Sequence, residues 1–192
     1  MHDASMIGSS KHARRDNDFY ATPAWCTEAL LHLEGFDGPI WEPACGNGAI
    51  SKVLEKTCDV YSTDLIDRGF GEGDIDFLQE TQLWFKSRNI VTNPPFGKEA
   101  EKFLRHALDL TEHRTGTVAF LLRNEFDCGK GRRDLFNSPR FHHKIVLTKR
   151  PMWIEGTKGS PRHNYSWFVF GPPLDDRTDT NTTSYYHPDD WK

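Results

Sequence analysis

The chain has 192 residues, of which 36% are hydrophobic and 27% charged, and its formal net charge is −4. This length and composition are typical of one soluble globular domain with a core of its own, which needs neither disulfides nor a metal for stability. No apolar run approaches the roughly 20 residues that cross a membrane. No apolar stretch follows the first charged residues, as a secretory signal requires. We therefore expect a cytoplasmic protein without a membrane segment.

Four cysteines, Cys26, Cys45, Cys58 and Cys128, are scattered along the chain. No two of them have the CxxC spacing of zinc sites and redox motifs. We expect reduced thiols and no metal.

We divide the chain into three parts: an N-terminal arm at 1–17, one domain at 18–173, and a C-terminal tail at 174–192. The tail is rich in Asp and Thr, and we expect it to lie on the surface or to be mobile.

Strands and helices alternate within the predicted domain. Thr22 as N-cap and Pro23 at the first helical position open a helix that ends at Gly35. Apolar spacing predicts further helices after Gly48 and over 100–110. Apolar runs predict strands at 39–41, 59–64, 89–92, 117–122, 144–148 and 165–170.

This alternation predicts an α/β fold with a mostly parallel sheet and helices on both faces. No helical pattern separates the last two strands, so we expect them to pair antiparallel at one edge. In such sheets ligands bind beyond the carboxyl ends of the strands.

Three motifs follow predicted strands. The first is Glu42–Gly48, with the sequence EPACGNG, in which Gly46 and Gly48 allow a ligand to approach the backbone closely. A lone GxG also occurs in many simple turns. Ser51 stands where a dinucleotide-binding GxGxxG requires its third glycine, so a nicotinamide oxidoreductase is disfavoured.

Carboxylates supply the second group of candidates. Asp64 ends a predicted strand, where it is able to accept hydrogen bonds from a ribose. Asp76 and Phe77 combine an acceptor for an amino group with an aromatic ring. The alternative is a helix cap at Asp64 and a turn before a core phenylalanine at Phe77.

The third motif is NPPF, comprising Asn93, Pro94, Pro95 and Phe96. The prolines stiffen the loop and leave carbonyl acceptors, Asn93 adds a side-chain acceptor, and Phe96 adds a flat ring. Such a site suits a planar group with an NH2. Accepting both hydrogens would localise the nitrogen lone pair toward an electrophilic methyl group. A proline-stiffened turn is the alternative.

These motifs, together with DFYATP at 18–23 and in the same order, resemble the class I S-adenosylmethionine-dependent N6-adenine DNA methyltransferases, especially compact bacterial and phage forms. The resemblance covers approximately 18–170. It implies a Rossmann-like methyltransferase fold, S-adenosylmethionine as cofactor and DNA as partner.

The resemblance also assigns roles to matching residues. The cofactor-binding set would be Tyr20, Thr22, Pro23, Glu42, Ala44, Cys45, Gly46, Gly48, Asp64, Asp76 and Phe77. Catalysis would involve Asn93, Pro94, Pro95 and Phe96, with the first two accepting from the target amine and Phe96 stacking on the base. Transfer would be direct and in line, without a covalent intermediate.

Charge distribution supplies the substrate candidates. The segment 121–163 carries a net charge of +6, which leaves −10 for the rest of the chain. Such a segment is typical of a phosphate-binding surface, although a solvated face has the same composition. We expect substrate contacts from Arg132, Arg133, Trp153, Arg162 and Tyr165.

Other functions stay open. The same acceptors suit adenine in RNA or the side-chain amide of a protein glutamine. From a different class, a non-catalytic methyltransferase-like module would bind nucleic acid, but such a module is expected to lose the NPPF acceptors or the glycine loop.

Overall fold

A seven-stranded sheet organises the protein in the computed structural model, which describes residues 20–112, 116–153, 161–173 and 181–190. The predicted arm at 1–17 lies outside the described residues, as do positions 18 and 19 of the first motif. The same holds for 174–180 and 191–192 of the predicted tail.

The sheet is parallel except for one strand. Its order is β2-β1-β3-β4-β6-β5-β7, and among the described strands only β6 runs against its neighbours. The strands are β1 Ile40–Glu42, β2 Val60–Ser62, β3 Asn89–Thr92, β4 Val118–Arg123, β5 Phe141–Leu147, β6 Tyr165–Phe170 and β7 Thr182–Tyr186.

Helices cover both faces of this sheet. They are α1 Ala24–Leu33, α2 Ser51–Leu54, α3 Lys98–Leu110 and α4 Arg133–Phe136, with short 3-10 helices at Phe77–Gln79, Phe126–Cys128 and Lys130–Arg132. In the parts of the chain that the structure describes, no helix has the length and apolar character that crossing a membrane requires.

Each face of the sheet has its own hydrophobic core, because successive residues of a strand point to opposite sides. Ile40 packs on the face covered by α1 and α2, whereas Trp41 packs on the face covered by α3. The amphipathic pattern predicted for α3 is present, since Phe103 and Leu104 are buried in the second core. The predicted α/β fold with both faces covered is confirmed.

The start of α1 differs from the prediction. The helix begins at Ala24, with Pro23 at the N-cap position and no capping bond from a side chain. The Thr22 hydroxyl instead accepts a hydrogen bond of 3.1 Å from Nδ2 of Asn93. The predicted cap is therefore wrong, because the loop after β3 uses the oxygen that a cap would need.

The edge of the sheet that the last strand forms also differs from the prediction. β5 and β6 pair antiparallel as predicted, but β7 lies in the segment predicted as a tail and forms the edge beside β5. Its sequence, TTSYY, has no apolar alternation, and only Tyr186 is buried. Threonine and tyrosine nevertheless favour strands. The division into arm, domain and tail stays a prediction.

A network of side-chain hydrogen bonds links β7 to the rest of the sheet. The imidazole of His143 on β5 bonds through Nδ1 to the carboxylate of Glu34 at the end of α1. Its Nε2 lies 2.8 Å from the hydroxyl of Ser184 on β7. The network therefore joins a helix, an inner strand and the edge strand.

Replacing Ser184 with alanine should lower the free energy of unfolding by about 1 kcal/mol, because one nitrogen of the half-buried imidazole loses its partner. Thr183→Ala removes a hydroxyl from an exposed neighbour on the same strand and serves as the control. Urea unfolding of both variants measures the difference. Equal effects would show that the His143–Ser184 bond contributes nothing.

Candidate active site

A cavity of about 610 Å³ opens at the carboxyl ends of β1, β2 and β3. This is the position where open α/β sheets bind ligands, and the size is usual for a small-molecule site. Of the predicted site residues, the structure brings these to its wall: Tyr20, Thr22, Glu42, Ala44, Cys45, Gly46, Asp64, Asp76, Phe77, Asn93, Pro94 and Pro95.

The loop after β1 depends on its glycines. Gly46 and Gly48 have φ angles of 57° and 77°, a region that other residues rarely adopt. A Cβ on Gly48 would lie 2.5 Å from the ring of Phe70. The missing side chain at Gly48 therefore leaves room for Phe70, whereas Gly46 lines the cavity.

Asp64 ties this loop to the turn after β2. Its Oδ2 accepts a hydrogen bond of 2.8 Å from the backbone N–H of Gly46, and its Oδ1 accepts one of 2.9 Å from that of Ile66. The carboxylate thus fixes two walls of the cavity relative to each other. It lines the cavity at the position where the sequence predicts a ribose contact.

Glu42 is an acidic side chain that is only 1% exposed. Its Oε2 accepts a 2.8 Å bond from the Ser51 backbone N–H and a second bond from the Ser51 hydroxyl. Burial raises the pKa of Glu42 from 4.5 to about 8, although the bonds from Ser51 oppose this and the nearby Asp64 charge adds to it. Near neutral pH the side chain therefore favours its protonated form.

Asp76 and Phe77 form another part of the wall. Asp76 caps a 3-10 helix by accepting a 3.0 Å bond from the backbone N–H of Leu78. The ring of Phe77 is 1% exposed, with centroids of Trp41 and Phe103 at 5.1 and 4.9 Å. Phe77 thus belongs to the core as well as to the cavity wall, and its contact with a nucleobase stays a prediction.

The sequence analysis did not predict several residues of the cavity wall, among them Leu65, Ile66, Arg68, Ile75 and Glu99. Leu65 is a large apolar side chain that is 57% exposed. The available signal was its place directly after Asp64, where a simple turn would be polar. Its side chain lies in the cavity wall, where a bound ligand would cover it.

The NPPF loop leaves β3 and closes the cavity on the side of α1. The Asn93 amide donates through Nδ2 to Thr22, while its Oδ1 is buried and has no hydrogen-bond partner. A buried acceptor without a donor costs free energy, so this oxygen is suited to a donor that a ligand supplies. Pro94 and Pro95 line the cavity beside it.

Phe96 belongs to an aromatic cluster of four residues: Tyr20, Phe96, Trp153 and Tyr165. The Phe96 ring centroid lies 5.5 Å from Tyr20, 6.0 Å from Trp153 and 6.1 Å from Tyr165, and the last two are 4.8 Å apart. Tyr20 also lines the cavity, so the aromatic cluster adjoins it. Three residues that the sequence assigns to the substrate side are therefore neighbours in space.

The predicted basic residues separate into two groups. Arg132 stacks on Phe126 at 4.1 Å and lies 4.0 Å from the carboxylate of Glu101 on α3. Arg133 begins α4 in the same region. Arg162 instead lies three residues before Tyr165, the first residue of β6. Substrate binding by these arginines stays a prediction.

The fold is similar to those of solved methyltransferase structures. A putative RNA methyltransferase from Pyrococcus horikoshii aligns with a TM-score of 0.57 at 17% identity, over 88% of this chain and 94% of that one. A putative class I S-adenosylmethionine-dependent methyltransferase from Listeria monocytogenes aligns with a TM-score of 0.54 at 15% identity, over 85% and 62%. The chain therefore has the Rossmann-like fold of class I methyltransferases.

A third similar structure is the M protein of the type I restriction enzyme EcoKI, with a TM-score of 0.54 and 16% identity over 86% of this chain and 47% of that one. The chain thus spans 62% of the Listeria protein and about half of the EcoKI protein. No protein-family model and no curated protein matches the sequence.

Gly48→Ala should lower the free energy of unfolding more than Gly69→Ala does. Both glycines have φ angles near 78°, which cost about 1 kcal/mol for alanine, but a Cβ has open space at Gly69 and meets Phe70 at Gly48. Urea unfolding of the two variants isolates the steric part. Equal losses would mean that Phe70 moves aside freely.

Glu42→Gln should flatten the pH dependence of stability. Between about pH 5 and 8 the folded protein holds a proton on Glu42 that the unfolded chain has released. Stability of the unmodified protein therefore falls as pH rises through this window, by up to about 1.4 kcal/mol per pH unit from this group. Glutamine cannot titrate and removes that slope.

The measurement is urea unfolding at several pH values, with Glu28→Gln as the control. Glu28 is a glutamate whose side chain is 50% exposed. A Glu42→Gln profile as steep as that of the control would contradict the assignment.

Proposed function

We propose that this protein is an S-adenosylmethionine-dependent methyltransferase that methylates N6 of adenine in DNA. The observation that carries the proposal is the buried, unpartnered Oδ1 of Asn93, a residue of the cavity wall.

The cavity fits the cofactor that the fold implies. Its glycine loop lets a ligand reach the backbone, and the carboxylates of Asp64 and Asp76 suit the hydroxyls of a ribose and an amino group. Asp64 would hold the ribose, Asp76 the adenine amino group, and Tyr20 and Thr22 the methionine end. S-adenosylmethionine supplies an electrophilic methyl group on a sulfonium when it is bound.

The chain's own contribution to the reaction is a set of acceptors. Asn93 Oδ1 and the carbonyl of Pro94 would accept the two hydrogens of an exocyclic NH2. The nitrogen lone pair, otherwise delocalised into the ring, would then be localised and held in line for transfer. The target nitrogen is neutral before the reaction and gains a positive charge with the methyl group. It loses its proton only then, so no dedicated base is required.

The orientation of the Asn93 amide favours a hydrogen-bond donor as the ligand. The amide of Asn93 has two ends, and the Thr22 hydroxyl already accepts a bond from its NH2 end. The oxygen end is then left for the ligand. A target group that only accepts hydrogen bonds would leave this oxygen unpaired, whereas an amine satisfies it.

The aromatic cluster favours a nucleobase as the target. Phe96 and Trp153 would offer rings for a flat base to stack on, with the buried Tyr165 packed against both. Such stacking contributes about 1–3 kcal/mol per base in nucleic-acid complexes. A glutamine amide would have the same hydrogens but no ring for these side chains. A base within a duplex would have to leave the stack to reach them.

Adenine in RNA is the second candidate. The acceptors and rings serve it equally well, and one similar structure is named a putative RNA methyltransferase. The motif resemblance and the similarity to the M protein of a restriction enzyme support DNA. A non-catalytic module is disfavoured because the acceptors and the glycine loop are both present.

Asn93→Ala should reduce methyl transfer by about a hundredfold to a thousandfold, as is usual when one preorganised polar group is removed. Purified protein is incubated with tritiated S-adenosylmethionine and, separately, unmethylated duplex DNA, total RNA and a protein extract. Label recovered as N6-methyladenine in DNA, and lost in Asn93→Ala, is the expected result. Asn137→Ala, an exposed asparagine at the end of α4, is the matched control.

Each other result has a definite meaning. Label in RNA or in protein would keep the chemistry and overturn the substrate. No label anywhere, with no cofactor binding by calorimetry, would overturn the enzyme and favour the binding module. Equal activities of Asn93→Ala and Asn137→Ala would remove Asn93 from the mechanism.

A further inference from the structure

A second cavity, of about 530 Å³, lies beside β2, the strand that forms the edge of the sheet opposite β7. Within the described part of the chain, its lining shares no residue with the cavity of the candidate active site. Four of the lining residues are aromatic: Tyr61, Phe70, Trp84 and Phe85. We call this second cavity the edge pocket.

Phe85 presents its ring to solvent, since the residue is 70% exposed. Its φ angle is 49°, a left-handed conformation that is unfavourable for a residue with a bulky side chain. The ring stacks on that of Tyr61, with centroids 4.6 Å apart and an interplanar angle of 18°. An exposed aromatic surface is thus held in place by a backbone conformation that has to be stabilised elsewhere.

Trp84 forms the side of the edge pocket that adjoins the core. Its Nε1 donates a hydrogen bond of 2.8 Å to Oε2 of Glu80, and its ring stacks on Trp41 with centroids 6.2 Å apart. The rings of Trp84 and Phe85 meet nearly edge to face, at 72° and 5.6 Å. These contacts fix the orientation of the rings before any ligand arrives.

Two carboxylates, those of Glu55 and Glu72, also line the edge pocket, and none of its lining residues carries a positive charge. Both glutamates are exposed, and among the described residues neither side chain has a hydrogen bond or an ion pair. At the border of the pocket, Nζ of Lys52 lies 4.8 Å from the centroid of the Phe70 ring. One of these rings therefore already attracts a cation of the chain itself.

The backbone of β2 offers hydrogen bonds on the same side. The carbonyl of Ser62 accepts a bond from the N–H of Glu72, on the side of β2 that faces away from β1. Because alternate residues of a strand direct their backbone groups to the same side, the N–H and C=O of Val60 also face away from β1. Such a free edge is a template for a further strand.

We propose that the edge pocket binds an arginine side chain of a partner protein, carried on an extended segment that pairs with β2. A guanidinium is planar, so it stacks on an aromatic ring and bonds to a carboxylate at the same time. Pairing with the free edge would add affinity through the main chain, while the pocket selects the side chain.

Charge decides between this partner and the other occupants of such a surface. A nucleic-acid phosphate would approach two unpaired carboxylates. A second copy of the chain in a two-fold arrangement would bring its own Glu55 and Glu72 against this same surface. A segment with a positive charge satisfies both glutamates. The proposal is independent of the proposed function, because the two sites have no lining residue in common.

The test uses the full chain and a fluorescein-labelled peptide of sequence Thr-Thr-Arg-Thr-Thr, in which threonine favours an extended backbone. Anisotropy measures binding of this peptide and of the same peptide with citrulline, a neutral analogue of arginine. Unlabelled argininamide serves as a competitor that has no strand to pair. Far-UV circular dichroism and urea unfolding show that each variant is folded.

The variants are matched in pairs. Phe85→Ala is compared with Tyr185→Ala, because Tyr185 is also 70% exposed but lies on β7 at the opposite edge of the sheet. Glu72→Gln is compared with Glu125→Gln, which removes an equal charge from an exposed position after β4. Val60→Pro removes the outward N–H of β2, and Val60→Ala keeps it.

We expect Phe85→Ala to weaken binding of the arginine peptide about fivefold and citrulline to weaken it about tenfold. Glu72→Gln should weaken binding about threefold, and the difference should shrink at high salt. Val60→Pro should weaken binding about threefold, and argininamide should bind about tenfold more weakly than the peptide, since each loses main-chain bonds. Tyr185→Ala, Glu125→Gln and Val60→Ala should bind as the unmodified protein does.

Each other outcome overturns a stated part of the proposal. Equal affinity for the arginine and citrulline peptides would exclude recognition of a cation. Equal effects of Phe85→Ala and Tyr185→Ala, or no binding to the unmodified protein, would exclude the edge pocket as the site. Argininamide that binds as tightly as the peptide would exclude pairing with β2, and this comparison decides the point where Val60→Pro fails to fold. A dimer in sedimentation that Phe85→Ala abolishes would show that a second copy covers the surface.

Discussion

The carboxylate of Asp64 is the contact on which the rest of the site depends. It joins the glycine loop after β1 to the turn after β2 through two backbone N–H groups, and so fixes the distance between two walls of the cavity. A charged acceptor bonding to backbone donors is stronger and more directional than a neutral one. Cys45 and Leu65 of the cavity wall lie on the segments that this clamp joins, which backbone bonds from Thr63 to Glu42 and from Cys45 to Thr63 also hold together.

The parts of the site that could be predicted from the sequence are those in which chemistry follows a strand directly. Glu42, Asp64 and Asn93 each stand at or just after the end of an apolar run, and parallel strands bring such ends together. Contacts between residues far apart in the sequence leave no such local pattern. The bond from Asn93 to Thr22 spans 71 residues, and the pairing of Arg123 with Tyr165 depends on a strand register that no local pattern specifies.

The same distinction applies to the fold. Strands β4 and β6 are buried on both faces, so they appear in the sequence as nearly continuous apolar runs. β7 is an edge strand whose residues are mostly exposed, and its polar composition resembles that of a loop. It is stabilised by backbone pairing with β5 and by the imidazole of His143, and neither interaction leaves a mark on the local pattern of hydrophobicity.

The hydrogen bond between Thr22 and Asn93 has a consequence for the order in which the protein folds. Closing a contact across 71 residues costs more chain entropy than closing a local turn, so we expect this bond to form after β1, β2 and β3 are assembled. Until then the Asn93 amide is free to rotate and offers either end to a ligand. A partly folded chain would thus carry a glycine loop and a sheet but no oriented acceptor.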